Sequence, residues 1–183
     1  MPATHPHPGH HEWVHSVELT LDGPADTAVR ADWDRLLRAR LPSQGRHSGA
    51  SNRPHITLAL TASVPDPVRD GLAALAAELP LPLIVGAPLV FGHRRFILCR
   101  LIVPSSALLD LQQRVLDALD EPVDRQGTFG AGAWTPHVTL GRRFSADQLA
   151  AALTALGPVR PSDGTGASLR LWDIGTHQED RLG

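Results

Sequence analysis

The chain has 183 residues, 42% hydrophobic and 20% charged, with a net charge of −2. These values fit one domain, or two small and intimately packed lobes, and exclude any global electrostatic pull toward nucleic acid or membrane. The sequence contains no run of about 18 apolar residues that could span a bilayer. The single Cys99 allows no disulfide within the chain and fits a reducing, cytoplasmic setting.

The first ten residues are rich in proline and histidine and read as a disordered tail; prolines break the regular geometry that metal ligands need. Trp13–Leu21 alternates as a strand, with His15 on the packing face of Val17 and Leu19. Pro24–Leu41 places Val29, Trp33, Leu36, Leu37 and Leu41 on one helical stripe. Pro42–Asn52 is a polar loop, and a strand follows from His55 to Leu60.

A helix then starts at Pro65 and aligns Val68, Leu72, Leu75 and Leu79. Leu81–Phe91 and Arg95–Val103 read as a strand pair with His93 in the exposed turn, and Ser105–Leu119 as a helix. A glycine-rich loop, Asp124–Trp134, leads to a second strand from His137; its Phe129 and Trp134 are candidates to stack a base, with core packing as the other reading of Trp134. Ser145–Leu156 opens with a capping-box pattern, Ser145 and Gln148, and is helical. Ala167–Gly175 is the last expected strand, and residues 177–183, with His177, read as an exposed tail. The expected organisation is a single domain over residues 11–176. Its two halves show similar element order, which gives an α+β fold of two lobes related by a pseudo-twofold axis.

One pattern is written twice. Pro54-His55-Ile56-Thr57-Leu58 is repeated in kind as Pro136-His137-Val138-Thr139-Leu140. On a strand, residues two apart share a face, so His55 joins Thr57 and His137 joins Thr139, while the aliphatic residues turn inward. Related by a pseudo-twofold, the two polar faces meet in a single cleft. Unperturbed histidine titrates near pH 6.5, so one ring can take a proton from water while the other gives one to a departing oxygen. Two hydroxyls can hold the non-bridging oxygens of a phosphate between the rings. The chemistry this set fits is in-line displacement at phosphorus, above all the opening of a cyclic phosphodiester, and it needs no metal, thiol or nucleotide cofactor. All 17 basic residues are arginine, whose planar fork also suits phosphate; tyrosine is absent, so no phenol can serve as acid, base or nucleophile.

The paired motif, its spacing and the strand–helix order resemble the 2H phosphoesterase superfamily, which contains the bacterial 2′-5′ RNA ligase-like proteins and the cyclic phosphodiesterases. The likeness covers roughly residues 12–175. It implies a bilobal α+β fold of antiparallel sheet with helices outside and a central cleft. It implies a metal-independent phosphoesterase acting on 2′,3′-cyclic phosphates of nucleotides or RNA ends and leaving 2′-phosphates, with reversible 2′-5′ joining in some members. Carried over, His55 and His137 become the acid–base pair and Thr57 and Thr139 the phosphate holders. The family pattern makes the first histidine the acid toward the leaving oxygen and the second the base that activates water.

Two arginines are further candidates for substrate binding. Arg142 follows the second motif; strict alternation puts it on the Val138 face, and a strand end or bulge at Gly141 would turn it into the cleft. Arg143 is expected in solvent. Arg53 shares the His55 face by parity. The expected partner is a small nucleotide or RNA end, with no membrane, no extended nucleic-acid surface and a monomeric chain. The alternatives are a non-catalytic module that holds a nucleotide or terminal phosphate on the same fold, and a zinc hydrolase. The zinc reading is disfavoured because the motif spacing is not that of a familiar zinc site and neither motif contains an acidic residue.

Overall fold

A computed structural model describes residues 15–49, 51–120, 122–124, 127–130 and 132–182 of the chain. The expected disordered tail therefore lies outside the described residues.

Each helix begins where the sequence supplies a partner for its first free N–H groups. Asp22 caps α1 (Gly23–Arg38) by accepting from the Ala25 N–H at 2.9 Å. Ser105 caps α3 (Ser106–Asp117), and Ser145 with Gln148 forms the reciprocal capping box of α4 (Ala146–Leu156). The helix α2 (Asp66–Ala76) follows Pro65 without a side-chain cap.

The strands are β1 (His15–Leu21), β2 (His55–Thr61), β3 (Leu81–Phe91), β4 (Phe96–Ile102), β5 (His137–Phe144), β6 (Ser162–Asp173) and β7 (Gln178–Leu182). They form one antiparallel sheet in the order β2-β1-β6-β3-β4-β5, with β7 added beside β6. The order is palindromic. It reads motif strand, neighbour, inner strand from either end, and the two inner strands join through Leu81↔Gly166 to Val85↔Ser162. This is the mixed fold of two related halves that the duplicated element order implies.

The last expected strand, Ala167–Gly175, begins earlier, as β6 over Ser162–Asp173, and two further segments differ from the sequence reading. Residues 178–182, expected in a tail, form β7; the stretch Gln-Glu-Asp-Arg-Leu lacks apolar alternation because only Leu182 is buried. The loop after α1 contains a short 3-10 turn, Gln44–Arg46, capped by Ser43.

The end strands β2 and β5 lie against each other, and the helices cross between halves: α1 packs on β5 and α3 packs on β2. Ile56, Leu58, Val138 and Leu140 are at most 1% exposed. Burying such a side chain contributes roughly 1.5–3 kcal/mol, so the inward faces of the motif strands are a large part of the core.

The stripe of α1 also carries a charge. Asp32 is 1% exposed and accepts from Arg100 Nη1 of β4 at 2.8 Å, while Arg100 donates its remaining N–H groups to the carbonyls of Val85, Gly86 and Arg160. Among the described residues no helix is long and apolar enough to cross a membrane.

Candidate active site

The two motif strands share a burial pattern: the proline is buried, the histidine half-buried, the aliphatic residue buried, the threonine half-buried, and the leucine and next residue both buried. Two buried residues in succession break strict alternation, and the register explains them. Opposite β2, Val17 pairs with Ala59 and Glu18 with Thr57, so Leu58 is an extra residue. Opposite β5, Leu98 pairs with Gly141 and Cys99 with Thr139, so Leu140 is the extra residue. The leucine of each motif is therefore the site of a β-bulge.

The bulge sets the face of everything after it. Beyond Leu140, Arg142 pairs with Ile97, on the same side of the sheet as the pairs Thr139–Cys99 and His137–Leu101. Arg142 is thus returned to the histidine face, where unbroken alternation would have turned it away. Arg143 is exposed, with φ at 66°. In the first copy the position equivalent to Arg142 holds Leu60.

Gly141, beside the second bulge, lets the loop after α1 and the Phe144 ring come close. A Cβ there would meet the Pro42 carbonyl oxygen at 2.5 Å and the Phe144 ring at 2.9 Å. Gly141→Ala is expected to destabilise the protein by about 1–3 kcal/mol, the range for overpacking. A urea midpoint equal to that of the wild type would refute the close approach.

Bulges free backbone carbonyls, and buried carbonyls need donors. The other half of the molecule supplies them. Trp33 of α1 donates its indole N–H to the Thr139 carbonyl at 3.0 Å. Trp134 donates to the Thr57 carbonyl at 3.2 Å, and Gln112 of α3 donates to the Leu58 carbonyl at 3.2 Å. Trp134 is half-buried and packs on the core. Sequence reasoning missed these roles because the capped carbonyls exist only once the bulges are known.

The two imidazoles are held alike. His55 Nδ1 lies 2.8 Å from the Arg53 carbonyl, and His137 Nδ1 lies 2.7 Å from the Thr135 carbonyl. A carbonyl can only accept, so in each neutral ring Nδ1 carries the hydrogen and Nε2 carries the lone pair. The rings are also within electrostatic reach of each other. Burial lowers His137 below the ordinary histidine value of 6.5; the Thr135 carbonyl opposes this, and the charges of Arg142 and His55 lower it further.

Arg53 contributes through its backbone carbonyl. Its side chain is half-buried, and its Nε has no hydrogen-bond partner among the described residues.

The surroundings of the rings differ. Opposite His137 and Thr139 stand Leu101 and Cys99, and the Phe91 ring lies 4.8 Å from the His137 ring. Burial pushes the Cys99 thiol up to about 11, with Thr139 as a hydrogen-bond partner, so the thiol is neutral and no nucleophile. Opposite His55 and Thr57 stand Thr20 and Glu18, both buried, and Glu18 Oε1 is 3.5 Å from His55 Nε2. One ring sits in an apolar niche and the other above a carboxylate. His15 is half-buried in β1, and His93 and His177 are exposed, with His177 stacked on Trp172 at 5.9 Å.

Comparison with known proteins follows the same lines. No curated protein matches the sequence. The structure is similar to that of Kluyveromyces marxianus Usb1, with a TM-score of 0.52 and 14% identity, covering 93% of this chain and 98% of that one. It is equally similar to Kluyveromyces marxianus Usb1 with uridine monophosphate, with a TM-score of 0.51, 15% identity and the same coverage. At these identities the likeness speaks to the fold alone. The pattern of the 2′-5′ RNA ligase superfamily matches residues 25–178, most of the chain and both motif strands. The protein is therefore a member of the 2′-5′ RNA ligase superfamily.

Proposed function

We propose that the protein is a metal-independent phosphoesterase that opens 2′,3′-cyclic phosphodiesters of nucleotides or RNA ends and leaves 2′-phosphates. The observation that carries this reading is the matched setting of His55 and His137, each fixed at Nδ1 by the carbonyl two residues before it, which leaves Nε2 as the nitrogen for proton transfer. The uridine monophosphate of the Usb1 structure supports a nucleotide end as the ligand.

The unequal environments support a division of roles. His137, held neutral by its niche and by nearby positive charge, is the base. Its Nε2 takes a proton from water as the water oxygen attacks phosphorus in line with the bond to the 3′-oxygen. That bond breaks, and His55 Nε2–H protonates the departing 3′-oxygen. Thr57, Thr139 and Arg142 hold the non-bridging oxygens. If a 5′-hydroxyl takes the place of water, the same displacement forms a 2′-5′ linkage.

The base must be unprotonated, and its shift is downward, so its lone pair survives to lower pH than that of an ordinary histidine. The acid limb of kcat/KM against pH is expected below about 6.5; a limb at or above that value would contradict the assignment of His137. The function itself is tested by incubating the protein with 2′,3′-cyclic uridine monophosphate in excess EDTA. The expected product is the 2′-phosphate. No turnover on cyclic mononucleotides and cyclic-ended oligonucleotides alike would remove the proposal.

A further inference from the structure

Under His55 lies a cluster of buried charges that the two-histidine reading does not use. Glu18 and Arg170 are cross-strand neighbours on β1 and β6, each 3% exposed. Arg170 donates to Glu18 Oε2 from Nε at 2.8 Å, with Nη2 at 2.7 Å from the same oxygen. Ser16 donates its hydroxyl to Glu18 Oε1 at 2.6 Å. On its far side Arg170 Nη1 donates to Glu179 of β7 at 2.8 Å and to the Ser51 carbonyl at 2.9 Å.

Glu18 is held on both oxygens, and Glu179 has a second cation, Arg181, at 3.4 Å, so two carboxylates meet two guanidiniums. What remains is position: His55 Nε2 lies 3.5 Å from the buried and fixed Glu18 Oε1.

We propose that Glu18, braced by Arg170 and Ser16, is the positioning residue of His55: a buried, fixed carboxylate that orders this ring and not its twin. The proposal rests on His55 being the acid of the reading above. The groups facing the ring are Thr20 and Glu18 from β1, Arg170 from β6, the Arg53 carbonyl, and the charge of His137 from β5. Arg170 Nη2 approaches Nδ1 at 3.4 Å, but that nitrogen already has the shorter bond to the Arg53 carbonyl. His137 has the same Nδ1 bond with apolar neighbours in place of a carboxylate, so it serves as an internal control.

The test is Glu18→Gln, which keeps shape and removes charge. In the ¹⁵N spectrum of the intact protein the ring N–H signals of both histidines should be visible. In the variant the His55 ring signals should shift while those of His137 stay. With 2′,3′-cyclic uridine monophosphate, kcat should fall by about 10²-fold, the cost of misplacing a reacting group by about 1 Å, and KM should hold within about twofold. Unshifted His55 signals, equal shifts in both rings, or an unchanged kcat overturns the proposal.

If the wild type turns over no cyclic phosphate, the phosphoesterase reading falls and the ring signals still decide this one. Should Glu18→Gln fail to fold, Glu179→Gln loosens Arg170 through a side chain that is 18% exposed, and the same readouts apply.

Discussion

His137→Ala is expected to lower kcat/KM on a 2′,3′-cyclic phosphate by roughly 10²–10⁴-fold, the usual contribution of a positioned acid or base. His55→Ala should cost a similar factor. The fold should survive both changes, because the two rings are half-buried and face away from the core formed by Ile56, Leu58, Val138 and Leu140. Both act in one displacement, so the double variant should lose much less than the product of the single losses. Substrate affinity should change little in either, since the threonine hydroxyls and Arg142 are untouched. Steady-state rates with isothermal titration of the 2′-phosphate product would separate the two quantities. Full turnover in both variants would end the catalytic proposal, and tight product binding without turnover in the wild type would favour the binding-module alternative.

Asp32→Ala should produce the largest loss of stability, about 3–5 kcal/mol. The substitution removes one carboxylate and leaves the Arg100 guanidinium buried, with a side chain 7% exposed and only carbonyls for company. For a chain of this size that corresponds to a fall in melting temperature of roughly 10 °C or more. Arg100→Met paired with Asp32→Leu removes both charges and should recover most of the loss, because an ion pair taken from water contributes little beyond an apolar pair of similar volume. A single variant that melts within a few degrees of the wild type would show that Arg100 finds other compensation.

The paired motif was legible because strand parity and duplication both act over a few residues. The capping box at Ser145 and Gln148 and the start of each motif strand at its histidine follow from equally local rules. What the sequence hid is long-range. Asp32 sits on the buried stripe of α1 because Arg100 reaches it across 68 positions, and Glu18 is buried because Arg170 meets it across 152. Neither pairing leaves a periodic trace. Strict alternation was the wrong rule beyond Leu58 and Leu140, and so it sent Arg142 to the wrong face. Strand β7 was missed because its pairing to β6 depends on backbone hydrogen bonds and one buried leucine.

The exchange of indole and amide donors between the halves has a consequence for how the molecule comes apart. Trp33 seals the strand that carries His137, while Gln112 and Trp134 seal the strand that carries His55. Neither repeat can be a finished unit alone, since each would expose or orphan carbonyls that only its sibling satisfies. Opening one repeat strips protection from the other, so loss of either imidazole's setting and loss of the native state are one cooperative event.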